Sequence, residues 1–367
     1  MPALQQLDDI GQSIWLDFIR RSFITSGGLR AWIDRGVRGV TSNPTILDKA
    51  IAGSEDYDEE IRRLALLGRS AEEIYLNLAL EDIGSAADLF LPVYEALSGA
   101  DGYVSLEVSP LIAYDTAATI DAVSRLSGLL PRPNVLIKVP ATAQGMPAIR
   151  ASITRGININ ATLIFSRAQY RDVLEAYISG LEDRVAAGQD ISGVASVASF
   201  FVSRVDTAVD KELKARGEQE LQGKIAIANA VAAYGYFLDA VKTPRWRKLA
   251  DRGARVQRPL WASTSTKNPV YPDTLYIDNL VGPDTVNTVP METLEAWIDH
   301  GRAELKLMSG FDEAERQLGG LAAVGVDLDA ITEQLTRDGV QAFADSFNHL
   351  LASVEGKRRK YTEEKAA

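Results

Sequence analysis

Residues 134–163 read NVLIKVPATAQGMPAIRASITRGININATL. The run 134–139 is a strand, apolar from Val135 on except for Lys138 and closed by Pro140. Residues 144–155 carry helical spacing, and 156–163 return to strand character. Strand, helix and strand in that order make a βαβ unit, whose two strands run parallel. The same alternation extends in both directions. Upstream, strands are predicted at 13–16, 37–41 and 103–108, with helices at 21–35, 54–98 and 116–130. Downstream, a helix at 167–187 precedes a strand at 194–201, then helices at 206–215 and 224–251, and strands at 259–262 and 274–280. From about residue 291 onward the chain is mostly helical. Eight strands, each followed by helix, over 367 residues fit an α/β fold of the (β/α)8 TIM-barrel type with additional helices better than an open sheet. No linker rich in Pro, Gly or Ser divides the chain. Residues 1–367 are therefore expected to form a single domain with a charged tail, 355–367, that frays.

Composition narrows the chemistry. Hydrophobic residues make up 46% and charged residues 24% of the chain, as a globular protein with a real core requires. The net charge of −11 argues against non-specific binding to nucleic acid or anionic membranes, although a local Arg/Lys pocket can still hold an anionic substrate. There are no cysteines, which removes disulfides, thiolate nucleophiles and Cys-based metal sites and is compatible with a reducing cytoplasm. The two histidines, His300 and His349, leave little for a His-rich metal site or a Ser-His-Asp triad. Neither a signal peptide nor a transmembrane run is expected.

Strands of a parallel barrel are normally apolar on both faces, so polar residues on them are informative. In Ile157-Asn158-Ile159-Asn160-Ala161-Thr162-Leu163 the even positions are Asn, Asn and Thr, and residues two apart share a face. That face is either a set of hydrogen-bonded core polar groups or the wall of an active site. Ser105 and Glu107 share a face on another strand, as do Ser199 and Phe201 on a third, and Asp17 ends the apolar run Trp15-Leu16. Lys138, taken alone, reads as a strand-end lysine snorkelling to water. Taken together, Asp17, Glu107, Lys138, Asn160, Thr162 and Ser199 all fall near strand C-termini, where barrel enzymes place their catalytic groups. Desolvation disfavours an ammonium ion, and a neutral amine attacks carbonyls to form Schiff bases. With histidine scarce, Asp17 and Glu107 are the natural proton-transfer groups. No Walker or dinucleotide-type Gly-rich loop is present.

At these residues the sequence strongly resembles the transaldolases. Arg35-Gly36-Val37-Arg38-Gly39-Val40-Thr41-Ser42-Asn43-Pro44-Thr45 matches the family's N-terminal signature, and residues 135–146 match the signature around its Schiff-base lysine. Residues 105–110, 158–166 and 199–204 fit in the expected order, so the resemblance covers nearly the whole barrel. It implies transfer of a dihydroxyacetone unit from sedoheptulose 7-phosphate or fructose 6-phosphate to glyceraldehyde 3-phosphate or erythrose 4-phosphate, in the cytoplasmic pentose phosphate pathway. It further implies that Lys138 forms the imine, that Asp17 takes the C4 hydroxyl proton, and that Glu107 serves imine formation through a water held with Thr162. Asn43 and Asn160 would bind the dihydroxyacetone portion. Arg204, Ser199, Phe201, Ser265 and Lys267 would line the phosphate end. No metal or organic cofactor is implied, since the imine is itself the electron sink. Partners would be small sugar phosphates, with no nucleic acid or membrane, and the chain would act as a monomer or homodimer.

Two departures stand out. Where the family typically shows Ser-Phe-Arg-Asn, this chain has Ser265-Thr266-Lys267-Asn268, and a lysine lacks the bidentate fork of an arginine. The first strand reads Trp15-Leu16-Asp17-Phe18 rather than Ala-Asp-Thr/Ser. The competing readings are a simple sugar-phosphate aldolase sharing Lys138 and a non-catalytic sugar-phosphate-binding barrel. Gly27-Gly28 reads as a turn, Lys357-Arg358-Arg359-Lys360 as a solvated helix end, and the five scattered tryptophans as packing residues.

Overall fold

The computed structural model describes residues 3–366. Eight parallel strands close in sequence order into a barrel: β1 (Gln12–Leu16), β2 (Gly39–Val40), β3 (Tyr103–Glu107), β4 (Val135–Pro140), β5 (Ile159–Ile164), β6 (Ser196–Phe201), β7 (Arg258–Ala262) and β8 (Thr285–Val289), with β8 paired back to β1. Helix α1 (Ala3–Ile10) precedes β1. Between β1 and β2 lie α2 (Arg21–Thr25) and α3 (Gly28–Asp34), and between β2 and β3 lie α4 (Pro44–Ile51), α5 (Asp58–Leu66) and α6 (Ala71–Ala96). The next crossovers use α7 (Thr116–Leu129), α8 (Gly145–Thr154) and α9 (Arg167–Ala186). After β6 come α10 (Ser203–Ala215), α11 (Ile225–Ala240) and α12 (Pro244–Ala250), and α13 (Leu275–Asn279) lies between β7 and β8. The chain ends in α14 (Met291–His300), α15 (Phe311–Ala323) and α16 (Leu328–Ala366).

The expected fold class is the one observed, but several expected elements moved. The eighth strand is 285–289, and residues 274–280 hold the short helix α13 instead. Tyr276, Ile277 and Leu280 are buried, a spacing that suits one helical face, and the Tyr276 hydroxyl donates to Asp206 at 3.0 Å. The expected helix at 21–35 is broken at Gly27, whose φ of +85° is the left-handed conformation glycine adopts without strain. The expected helix at 224–251 is broken before Pro244, which lacks the N–H that a continuous helix would need. The 54–98 region splits at Gly68, and α6 restarts with a capping box between Ser70 and Glu73. Strand β2 has only two residues, and α4 follows Asn43 where only a turn was expected. The charged stretch after 355, expected to fray, continues α16, and Lys357 there bonds Asp58.

One glycine fixes the barrel's interior. A Cβ on Gly39 would lie 2.6 Å from the Trp15 ring and 2.6 Å from the Tyr103 carbonyl oxygen. Trp15, fully buried, crosses the barrel where any side chain at 39 would stand. Helix α16 then crosses the C-terminal end of the barrel, packing on α4, α5, α6, α10 and β5. Its buried face, Val340, Phe343, Phe347, Leu350 and Val354, repeats at three- and four-residue steps.

Candidate active site

Register builds the site. Glu107 pairs with Lys138 across β3 and β4, and Lys138 pairs with Asn160 across β4 and β5. Because side chains alternate, these inward-facing groups form one polar row at the strand ends. Lys138 is only 4% exposed, and its Nζ lies 3.1 Å from Glu107 Oε2 while donating to the Ser42 carbonyl at 3.1 Å. The Phe343 ring of α16 stands over the same nitrogen, 5.7 Å to its centroid. Apart from the ion pair with Lys138, neither Glu107 carboxylate oxygen has a hydrogen-bond partner among the described residues, and neither does the buried Thr162 Oγ1. Buried polar atoms are almost always paired, so two such groups at the strand ends suit a bound polar molecule.

Asp17 directly follows β1. Its carboxylate accepts from Thr41 Oγ1 at 2.6 Å, and Thr41 in turn meets Thr288 Oγ1 at 2.5 Å. Burial raises the Asp17 carboxyl above its ordinary value, against the pull of the Thr41 hydrogen bond and of Lys138, Arg204 and Lys267. Burial likewise raises Glu107, opposed by Lys138 and reinforced by the negative charge of Asp17. Two carboxyls shifted upward beside a buried lysine are suited to taking and returning protons.

Asn160 is fully buried and cross-links the barrel interior, donating to Ser105 Oγ at 3.1 Å and accepting from Ser199 Oγ at 2.7 Å. Asn43 caps α4 by accepting from the Ile46 N–H at 2.9 Å, which leaves its amide NH2 to donate elsewhere. Asn158, expected on the same face as Asn160, lies before β5 instead. Its side chain donates to the Pro133 carbonyl and accepts from the Ala195 N–H, tying strand starts together.

A cationic patch adjoins this row. The Arg204 guanidinium stacks over Phe201 at 5.2 Å, Phe201 packs on Phe165 at 5.1 Å, and no carboxylate lies within ion-pairing distance of Arg204 among the described residues. Burial lowers the Arg204 guanidinium, and the Asp17 charge pulls it back up. Lys267 donates to Ser265 Oγ at 2.6 Å and is lowered first by burial, then by the neighbouring charges of Arg204 and Lys49. Arg204 and Lys267, neither ion-paired among the described residues, suit a doubly charged anion.

Ten of the eleven residues expected at the site lie in the C-terminal halves of strands, or in the loops and helix starts that follow them; Asn160 is the second residue of β5, and the register with β4 brings it level with Lys138. Thr41, Ser42 and Thr288 were not singled out, although Thr41 and Ser42 lie inside the N-terminal signature. Lys49 is an exposed lysine in the last turn of α4 and carries no signal without the fold. Phe343 is one apolar position on an amphipathic helix, indistinguishable in sequence from its neighbours.

The chain matches the family described as Transaldolase/Fructose-6-phosphate aldolase over residues 14–354. It is 48% identical over 355 residues to the transaldolase of Acidothermus cellulolyticus, covering 96% of this chain and 95% of that protein. It is 48% identical over 356 residues to that of Thermobifida fusca, covering 96% and 97%. Similarity to the transaldolase of Trichodesmium erythraeum is 42% over 374 residues, covering 98% of each chain.

Proposed function

The chain belongs to the transaldolase/fructose-6-phosphate aldolase family, and on that premise we propose how its barrel mouth works. Its activity is that of a transaldolase, a transferase acting on sugar phosphates. The donor is a ketose phosphate such as sedoheptulose 7-phosphate or fructose 6-phosphate, and the acceptor is glyceraldehyde 3-phosphate or erythrose 4-phosphate. The reaction belongs in the cytoplasm. The observation that carries the reading is Lys138, buried in the barrel and 3.1 Å from Glu107.

Lys138 gives a proton to Glu107 and attacks the donor's C2 carbonyl. Glu107, acting through a water that also meets Thr162, protonates the departing C2 hydroxyl, which leaves as water, and the imine forms. Asp17 removes the C4 hydroxyl proton, the C3–C4 bond breaks, and the electron pair moves into the imine system. The shortened aldose leaves. The resonance-stabilised three-carbon unit stays on Lys138 until its carbanion carbon adds to the acceptor's carbonyl and Asp17 returns the proton. Water then adds to the new imine carbon, the C–N bond breaks with the Lys138 nitrogen taking a proton, and the product ketose leaves. Asn43 and Asn160 orient the dihydroxyacetone hydroxyls. Arg204, Lys267 and Ser265 take the phosphate, with Ser199 and Phe201 shaping that end of the cavity.

A coupled assay with and without an aldose phosphate acceptor tests the transfer. The expected result is donor turnover that depends on acceptor. Donor cleavage at the full rate without acceptor would make the chain a simple aldolase, the other activity in the family's description.

A further inference from the structure

The C-terminal helix presses unusually hard on the barrel mouth. Leu163 adopts φ of +59°, a left-handed conformation costly for leucine, where the β5–β6 register shifts between Ala161 and Ile164. A Cβ on Gly339 of α16 would lie 3.0 Å from Leu163 Cδ2 and 3.6 Å from the Phe165 ring. The helix is thus seated directly on the end of β5, with glycine at the point of contact. One turn later Phe343, 2% exposed, extends over Lys138 Nζ. The following turns are pinned as well. Ser346 and Thr45 hydroxyls meet at 2.8 Å, Phe347 packs edge-on against Tyr75 at 5.2 Å, and His349 meets Asp48 at 2.8 Å. Both polar contacts run to α4, the helix that Asn43 caps.

We propose that Phe343 is a positioning residue that shields the Lys138 imine, so that the three-carbon unit waits for an aldose instead of being lost to water. This rests on the ketol transfer through Lys138 proposed above. The competing loss is simple chemistry. The carbanion carbon takes up a proton, water adds to the imine carbon, the C–N bond breaks with the lysine nitrogen taking a proton, and dihydroxyacetone departs. Glu107 occupies one side of the Lys138 nitrogen, and the Phe343 ring stands over that nitrogen from α16. An apolar ring on that side offers water no hydrogen bond, which leaves the Glu107 side as the one route for the water that forms and releases the imine, and its face attracts the positively charged imine nitrogen.

The test measures the ratio of dihydroxyacetone released to ketol units transferred, at saturating donor and fixed acceptor, in the native chain and in Phe343→Ala. The shielding role predicts a rise in that ratio of about fivefold or more, with borohydride plus ketose phosphate still labelling Lys138 in the variant. A helix that only holds the fold would lower release and transfer together, and an unchanged ratio overturns the proposal. Phe343→Leu answers the same question if the alanine variant does not fold: a ratio at least about twofold above native supports shielding, and a native ratio overturns it. Absence of any adduct at Lys138 in the native chain would instead sink the Schiff-base reading itself.

Discussion

The two ends of this barrel use the same kinds of residue for opposite purposes. At the N-terminal floor, Asp101 is buried and accepts from Ser13, from Trp15 Nε1 at 2.7 Å and from Arg258 at 3.1 Å. Arg258 also donates to Ser13 and to the Thr285 carbonyl. Arg38 pairs with Asp8 at 2.6 Å, and Arg255 donates to the Gly99 carbonyl and the Tyr103 hydroxyl. A cavity of about 510 Å³ lies among these residues, yet each of its three arginines is already held by the protein. At the C-terminal mouth the pairing is incomplete. Among the described residues, Glu107 has only Lys138, Thr162 Oγ1 has no hydrogen-bond partner, Arg204 has only the face of Phe201, and Lys267 has a serine. Pairing at the floor stabilises the fold. The unpaired charge at the mouth is what the proposed substrate would meet, and a cavity alone does not mark the site.

Replacing a mouth residue should therefore cost activity, and replacing a floor residue should cost stability. The largest effect is expected for Lys138→Ala, with transfer reduced about 10⁴-fold or more because the covalent route is lost; a coupled assay on the folded variant reads it. Glu107→Gln should lower kcat about 10²- to 10⁴-fold, the range for a lost general acid–base group, with little change in Tm. Asp101→Ala should do the reverse. Removing the buried carboxylate leaves the buried Trp15 N–H and the half-buried Arg258 without their acceptor, which costs about 1–3 kcal/mol by denaturant unfolding, while kcat of the folded fraction stays within about twofold. A stable, inactive Asp101→Ala would break the comparison. Arg204→Ala should raise KM for a phosphorylated donor by the loss of about 1.5–3 kcal/mol of charged hydrogen bonding, leaving an unphosphorylated ketose little affected. Lys267→Arg should lower that KM by a few-fold through a bidentate phosphate contact.

The pH profile sharpens the same contrast. Asp17 and Glu107 are both raised by burial, and each must be ionised at the step where it accepts a proton. Activity is present above the raised values and lost as pH falls through them. The acid limb of kcat/KM should thus lie above the ordinary carboxylate value of about 4 and belong to the coupled pair rather than to either residue. An acid limb at or below that value would contradict the burial of these groups.

How much of this was legible in sequence depended on whether a residue's role is local. The βαβ alternation and inward-facing polar residues are local patterns, and they led to the barrel and to Asp17, Glu107, Lys138, Asn160 and Thr162. The eighth strand was misplaced because Thr285-Val286-Asn287-Thr288-Val289 is short and polar, whereas Thr274-Leu275-Tyr276-Ile277 is rich in strand-forming types that here bury one side of a helix. Asn158 followed the alternation on paper, but β5 begins only at Ile159. Phe343 reaches Lys138 through the folding of α16 over the barrel, and no spacing in the sequence announces such a meeting.

The central claim is that Lys138 carries the substrate carbon. Sodium borohydride added with a ketose phosphate, followed by peptide mass analysis, tests it directly. The account predicts one reduced three-carbon adduct on the peptide holding Lys138 and none in Lys138→Ala. An active native chain with no adduct, or an adduct on a different lysine, would contradict it.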